Sequence, residues 1–174
     1  EACRVPEHLV VVSNDRSLAL QSAEELLSLS GGDLWKSLGS PPVPASLTEA
    51  TCVRIDAISI DIDHQTQTMA ASSVEVGSFV SRSRYLCIAN SSFLRNMNIA
   101  PRAHPNDGVA DYLEIDPSMS IRQRWLASRR AVTGTHIPHP LITTKRITDI
   151  EIHRNTRREK LRLDGAVIRN WQSV

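Results

Sequence analysis

From residue 51 onward the apolar residues fall on every second position, a period that calls for half-buried strands. In TCVRIDAISIDID, Val53, Ile55 and Ala57, then Ile58, Ile60 and Ile62, alternate with polar neighbours, and the slip between Ala57 and Ile58 reads as a turn or bulge. HQTQT follows as a polar turn, MAASSVEV as a second strand, and RYLCIANSSFL as a third whose few charges predict a central position. DYLEI, LITTKRITDIEIHR and EKLRLDGAVIRNW continue the alternation. One segment breaks it: SMSIRQRWLASRRAVTG places Ile121, Trp125 and Leu126 on one helical face with arginines opposite, closed by Gly134.

The first 45 residues have a different character. HLVVV predicts a strand, and Leu18, Ala19, Ala23, Leu26 and Leu27 recur at helical spacing behind Ser17, which fits an N-cap. Gly31-Gly32-Asp33 breaks that helix; Leu34, Trp35 and Leu38 predict a further turn or two, stopped by Gly39 and the prolines at 41, 42 and 44. A short α/β piece over 1–45 and a mainly β region over 46–174, about seven strands with two or three short helices in all, predict an α+β chain built on a β-sandwich.

The charge balance of 20 basic and 19 acidic residues gives a net +1, which selects no nucleic-acid partner, and two Tyr, two Phe and three Trp offer little stacking surface. Cys3, Cys52 and Cys87 are scattered, odd in number and without metal-type spacing, which fits a reducing compartment, and no apolar run approaches the roughly 20 residues of a membrane span. A cytoplasmic protein, at most peripheral at a membrane, is the expectation.

NIAPRAHPNDGVADYLEID, residues 98–116, spends two prolines and an Asn-Asp-Gly on a connection between strands. The plain reading is backbone shape, because Gly takes positive φ cheaply and Asp bonds its own turn amides. The chemical reading is that Asp107 and nearby carbonyls hold Mg²⁺, which favours oxygen ligands and uses only one or two carboxylates. Leu163-Asp164-Gly165-Ala166 is a hairpin signal. His136 and His139 lie too awkwardly in an extended, proline-bounded segment for joint ligation. Arg122, Arg124, Arg129 and Arg130 on the helix, and Arg154, Arg157, Arg158, Lys160 and Arg162 in a late loop, read as solvated faces or as a patch for phosphate or anionic lipid.

Together these pieces resemble the bacterial diacylglycerol kinase-like lipid kinases, a family that includes sphingosine kinases and shares a two-domain plan with NAD kinases. The likeness runs over residues 30–174: Asn90, Phe93, Ala100, Pro101, Ala103, Asp107, Gly108 and Asp111 stand where the family's central motif has them. GTHIPHP resembles its Gly-x-His-x-x-His-Pro passage, LRLDGA its closing Asp-Gly-Glu strand, and GGDLWKSLGSPP the junction between its domains. The resemblance implies a lipid-kinase-type C-terminal sandwich and, in the turn, a structural Mg²⁺ held by the Asp107 side chain with backbone oxygens of His104 and Val109. Asn90, Asp164, Gly165, Arg129 and Arg130 are the ligand-binding candidates. Two departures matter: the residues ahead of the sandwich lack the family's Gly-Gly-Asp-Gly-Thr loop, and its active-site glutamate is Ala166, which neither takes a proton nor ligates a cation.

Three readings stay open. A stand-alone domain without its own kinase activity, binding no ATP by itself, would take a lipid, a phosphorylated small molecule or a partner. A split lipid kinase would be completed by a separate nucleotide-binding chain. A homodimerisation module would pair exposed sheet edges.

Overall fold

The computed structural model describes residues 2–4, 9–21, 26–42 and 49–174. In chain order the elements are β1 (Ala2–Arg4), β2 (Val10–Val12), α1 (Asp15–Ala19), β3 (Leu27–Leu29), α2 (Asp33–Ser37), β4 (Glu49–Thr51), β5 (Ile58–Ile62), β6 (Thr66–Ala70), β7 (Ser73–Gly77), β8 (Tyr85–Ala89), β9 (Phe93–Leu94), β10 (Met97–Asn98), β11 (Ala110–Ile115), α3 (Ile121–Ala131), β12 (Ile142–Ile147), β13 (Leu161–Leu163) and β14 (Ala166–Ile168). The chain is mainly β, as its period of two predicts.

Six strands form one antiparallel sheet in the order β12-β11-β8-β7-β13-β14. The uncharged β8 lies inside it between β7 and β11, and its alternation feeds both faces. Tyr85, Cys87 and Ala89 enter a core with Leu113, Ile115 and the α3 residues Ala127 and Ala131. Leu86 and Ile88 enter a second core, under the β5–β6 hairpin, with Ile60, Ile62, Leu161, Leu163 and Trp171. The sheet is therefore covered on both sides, by helix on one and hairpin on the other. The β12 edge carries Lys145 and Arg146, charges of the kind that blunt edge-to-edge pairing.

The N-terminal piece is a parallel pair, β2 and β3, connected through α1. Asn14, not Ser17, is the N-cap of α1, its side chain accepting the Ser17 N–H. The helical reading over 18–27 also fails at its end, because Leu27 lies in β3 beside β2; Ala23 falls outside the described residues. A third core of Val12, Leu18, Leu34 and Ala71 fastens this piece to the turn between β6 and β7. MAASSVEV is thus two strands, and the slip at Ala57-Ile58 marks where β5 begins.

Two corrections concern side chains. Cys52 is disulfide-bonded, so the cysteines are not uniformly unpaired and the case they made for a reducing compartment lapses; Cys87 is a free, buried thiol. Helix α3 turns the opposite way from its apolar pattern: Ile121, Trp125 and Leu126 are exposed, while Ala127, Ala131 and Arg124 face inward. The helix starts at Ser120 with a reciprocal capping box to Gln123.

Candidate functional site

The inverted helix leaves a cavity of about 350 Å³ between α3 and the sheet. Tyr85, Leu113 and Ile115 form its floor, Ile121, Trp125, Ser128 and Ala131 its roof, and Phe79, Val80, Met97 and Ile99 its sides. Phe79 and Tyr85 meet edge to face, with ring centroids 5.5 Å apart. Such a volume lies at the small end of ligand sites, which run from about 300 to 1,000 Å³ and combine apolar walls with a few placed polar groups.

Arg95, Arg124 and His136 also line the cavity, each held differently. Arg95 forms an ion pair with Glu75, which is 1% exposed on β7 and also accepts the Tyr85 hydroxyl at 2.7 Å. Burial pushes the Tyr85 phenol well above its usual range, and the nearby Cys87 and Glu75 push the same way, so Tyr85 stays a donor. Arg124 is 1% exposed and bonds no carboxylate among the described residues: its guanidinium donates to the carbonyls of Met119 (3.1 Å), Phe79 (3.3 Å), Ser83 (2.8 Å) and Asp116 (3.1 Å), with Ser78 at 3.5 Å. Those bonds clamp the 78–84 loop to the start of α3 and so fix the shape of the cavity mouth.

His136 is buried, and neither ring nitrogen completes a well-aligned hydrogen bond; the Ile99 backbone offers only a weak interaction. Burial lowers its pKa, so the folded protein holds a neutral imidazole. The unfolded chain then binds more protons between the folded pKa and about 6.5. Stability is full above that value and is lost as pH falls through the folded pKa. His136→Gln is expected to flatten this acid limb, read from urea midpoints at several pH values. His136 also borders a neighbouring cavity of about 70 Å³ with Arg130 and His139, whose Nδ1 accepts the Leu141 N–H.

The residues singled out from sequence lie mostly elsewhere. Asn90 is buried at the far end of β8, donating to the Asp56 carbonyl at 2.7 Å and the Ala71 carbonyl at 3.0 Å. Asp164 accepts the N–H groups of Ala71 (2.9 Å), Ser72 (2.8 Å) and Ser73 (3.0 Å), and the Ser72 hydroxyl. The two converge on one turn, whose Ala71 peptide is gripped on both sides. Asp164 and Gly165 both take positive φ, 48° and 84°, as a two-residue hairpin turn requires. Ala166 opens β14 opposite Leu163. Arg129 and Arg130 are exposed in the last turn of α3, beside the cavity roof, with Arg129 stacked 5.0 Å over Trp125.

On the opposite side of the junction, Asp15 is buried and accepts the Asp33 and Leu34 N–H groups at 2.7 and 3.2 Å, anchoring the start of α2. Burial raises its pKa against these bonds. Gly32 has φ 100°, and a Cβ there would stand 2.3 Å from Asp15 Oδ1, so conformation and space both demand glycine.

The 98–116 connection is tied at two points. Asp56 accepts the Gly108 N–H at 2.8 Å and donates its own N–H to the Pro105 carbonyl at 2.7 Å. Asp107 accepts the Val109 N–H at 3.3 Å and is paired with Arg146, which stands across from Asp111 on the adjoining strand. The Asp107 carboxylate thus already has a cationic neighbour, and His104 is exposed. Among the described residues no cluster of three or more His, Cys, Asp or Glu side chains is disposed to hold a metal ion.

Sequence reasoning missed Glu75, Tyr85, Arg95 and the buried state of Arg124. Glu75 sits in SVEV, where alternation assigns it to solvent; it faces a covered side because β7 is interior. Compared with known proteins, the chain matches no protein-family model and no curated protein. No helix among the described residues is long and apolar enough to cross a membrane.

Proposed function

We propose that this chain is a lipid-kinase-like sandwich domain that binds one lipid or a phosphorylated amphiphile in the cavity beneath α3 and does not itself phosphorylate it. The observation that carries the reading is the cavity: apolar floor, roof and sides, with the Arg95 guanidinium in the wall. An acyl chain suits those walls, and Arg95, half exposed, suits an anionic headgroup. The hairpin laid over the sheet supports the sandwich form, and Ala166 supports the lack of catalysis, since it can act neither as base nor as ligand.

The split-kinase reading retains one favourable observation, the ordered junction in which Asp15 holds the start of α2. Mg²⁺ in the 98–116 turn is a separate proposal, with Asp107 and the backbone oxygens of His104 and Val109 as its ligands. There the ion would compete with Arg146 for the one carboxylate.

A thermal-shift titration with short-chain diacylglycerol, short-chain phosphatidate, Mg²⁺ and ATP tests these together. A ligand of the native state stabilises by about 2.7 kcal/mol at a hundredfold excess over its dissociation constant. Shifts with lipid and none with ATP are expected. An ATP shift would transfer the case to the enzyme reading.

A further inference from the structure

We infer that the exposed face of α3, with the 78–84 loop, docks on an anionic membrane surface and presents the cavity mouth to it; this rests on the reading of the cavity as a lipid site. Three apolar residues that line the cavity are also exposed: Val80 at 77%, Trp125 at 55% and Ile121 at 54%. The mouth is therefore rimmed by apolar side chains turned outward. Along α3 the same face continues through Val132, and Leu126, on the adjoining flank of the helix, is exposed too.

The charge around this face favours lipid phosphate. Helix α3 contains four arginines and no Asp or Glu. Arg124 is spent on carbonyls, which leaves Arg122, Arg129 and Arg130 exposed, and Arg82 is exposed in the clamped loop. The nearest preceding carboxylate, Asp116, is held by the Ser118 N–H at 2.7 Å. Arg129 stacked on Trp125 is the arrangement an interface rewards: an indole at headgroup depth with a guanidinium beside it. A second copy fits poorly, because a two-fold contact would set this arginine-rich face against itself.

The face is also rigid enough to dock as a unit. Arg124 joins the loop carbonyls to α3, so Val80 and Trp125 are carried on connected elements. Exposed arginines near a charged bilayer each change partitioning by about fivefold.

The test is flotation with vesicles of phosphatidylcholine alone and of phosphatidylcholine mixed two to one with phosphatidylserine, over a series of salt concentrations. The wild-type chain is expected to float with the mixed vesicles, to release as salt rises, and to bind neutral vesicles weakly. The triple variant Arg122→Gln, Arg129→Gln, Arg130→Gln replaces only exposed side chains and is expected to lose about a hundredfold in partitioning. Its thermal shift with dioctanoylglycerol, a soluble short-chain lipid, should match the wild type. Short-chain lipid binding without vesicle binding would overturn the docking proposal and leave the cavity reading intact. Vesicle binding without any short-chain lipid shift would uphold docking and remove the cavity reading. Equal binding to both vesicle types, or a concentration-dependent dimer dissolved by the triple variant, would overturn the membrane assignment.

Discussion

Asp164→Ala is expected to destabilise the fold by about 3 to 4 kcal/mol, the largest single loss from any residue first singled out as a ligand candidate. Its carboxylate accepts three backbone N–H groups of the β6–β7 turn and the Ser72 hydroxyl, a set that no other side chain replaces. Hydrogen bonds to a charged group contribute about 1.5 to 3 kcal/mol each, but neighbours in one network do not add in full, and water recovers part of the loss at a half-buried site. Alanine also tolerates the residue's φ of 48° less well than aspartate. Asp164→Asn keeps one acceptor oxygen and the turn conformation but sets an amide donor against another donor, so about 2 kcal/mol is expected. Urea denaturation with an unchanged slope reads both. A loss below about 1 kcal/mol for the alanine variant would show that the turn is held by other contacts.

Arg95→Met is expected to cost about 2 to 4 kcal/mol, because it strands the Glu75 carboxylate among Tyr85 and Cys87 inside the sheet. The figure is set below that of a fully buried pair because Arg95 itself is half exposed and screened by solvent. Replacing both partners, Glu75→Gln with Arg95→Met, should bring stability back to within about 1 kcal/mol of the wild type, since the neutral amide still accepts the Tyr85 hydroxyl and no buried charge is left unpaired. A double-mutant cycle in urea separates the two cases. If the single Arg95 variant is as stable as the double, the pair contributes nothing and Glu75 is satisfied by Tyr85 alone.

These two expectations mark what the sequence discloses and what it conceals. The period of two announces the sheet, and the uncharged YLCIAN run announces an interior strand, since both depend on burial by face. The Asp-Gly hairpin is legible because two adjacent positive φ values restrict which residues fit. The helix face is not legible. Periodicity locates apolar residues on a helix but cannot say that a buried arginine will take up the loop carbonyls and turn Ile121 and Trp125 to the outside. The cavity is a consequence of that inversion, so it too was hidden. Glu75 was hidden for a related reason: alternation reports two faces, and both faces of β7 lie inside the sheet's coverings.

The elaborate 98–116 connection has a part in shaping the fold. Two prolines and Gly108 bring Asp107 to Arg146 and the Pro105 carbonyl to Asp56, so the turn laces the edge strand and the approach to β5 into the sheet.

Isothermal titration with dioctanoylglycerol, for the wild type and for Ala131→Met, decides whether the cavity beneath α3 is a lipid site. Ala131 lines the cavity roof and is buried, so the longer side chain fills ligand space. A lipid site beneath α3 requires one site per chain, at least a tenfold loss of affinity in the filled variant with its fold retained by circular dichroism, and no heat when ATP is added to protein already equilibrated with Mg²⁺. Undiminished binding by the filled variant, or no binding by either protein, would contradict it.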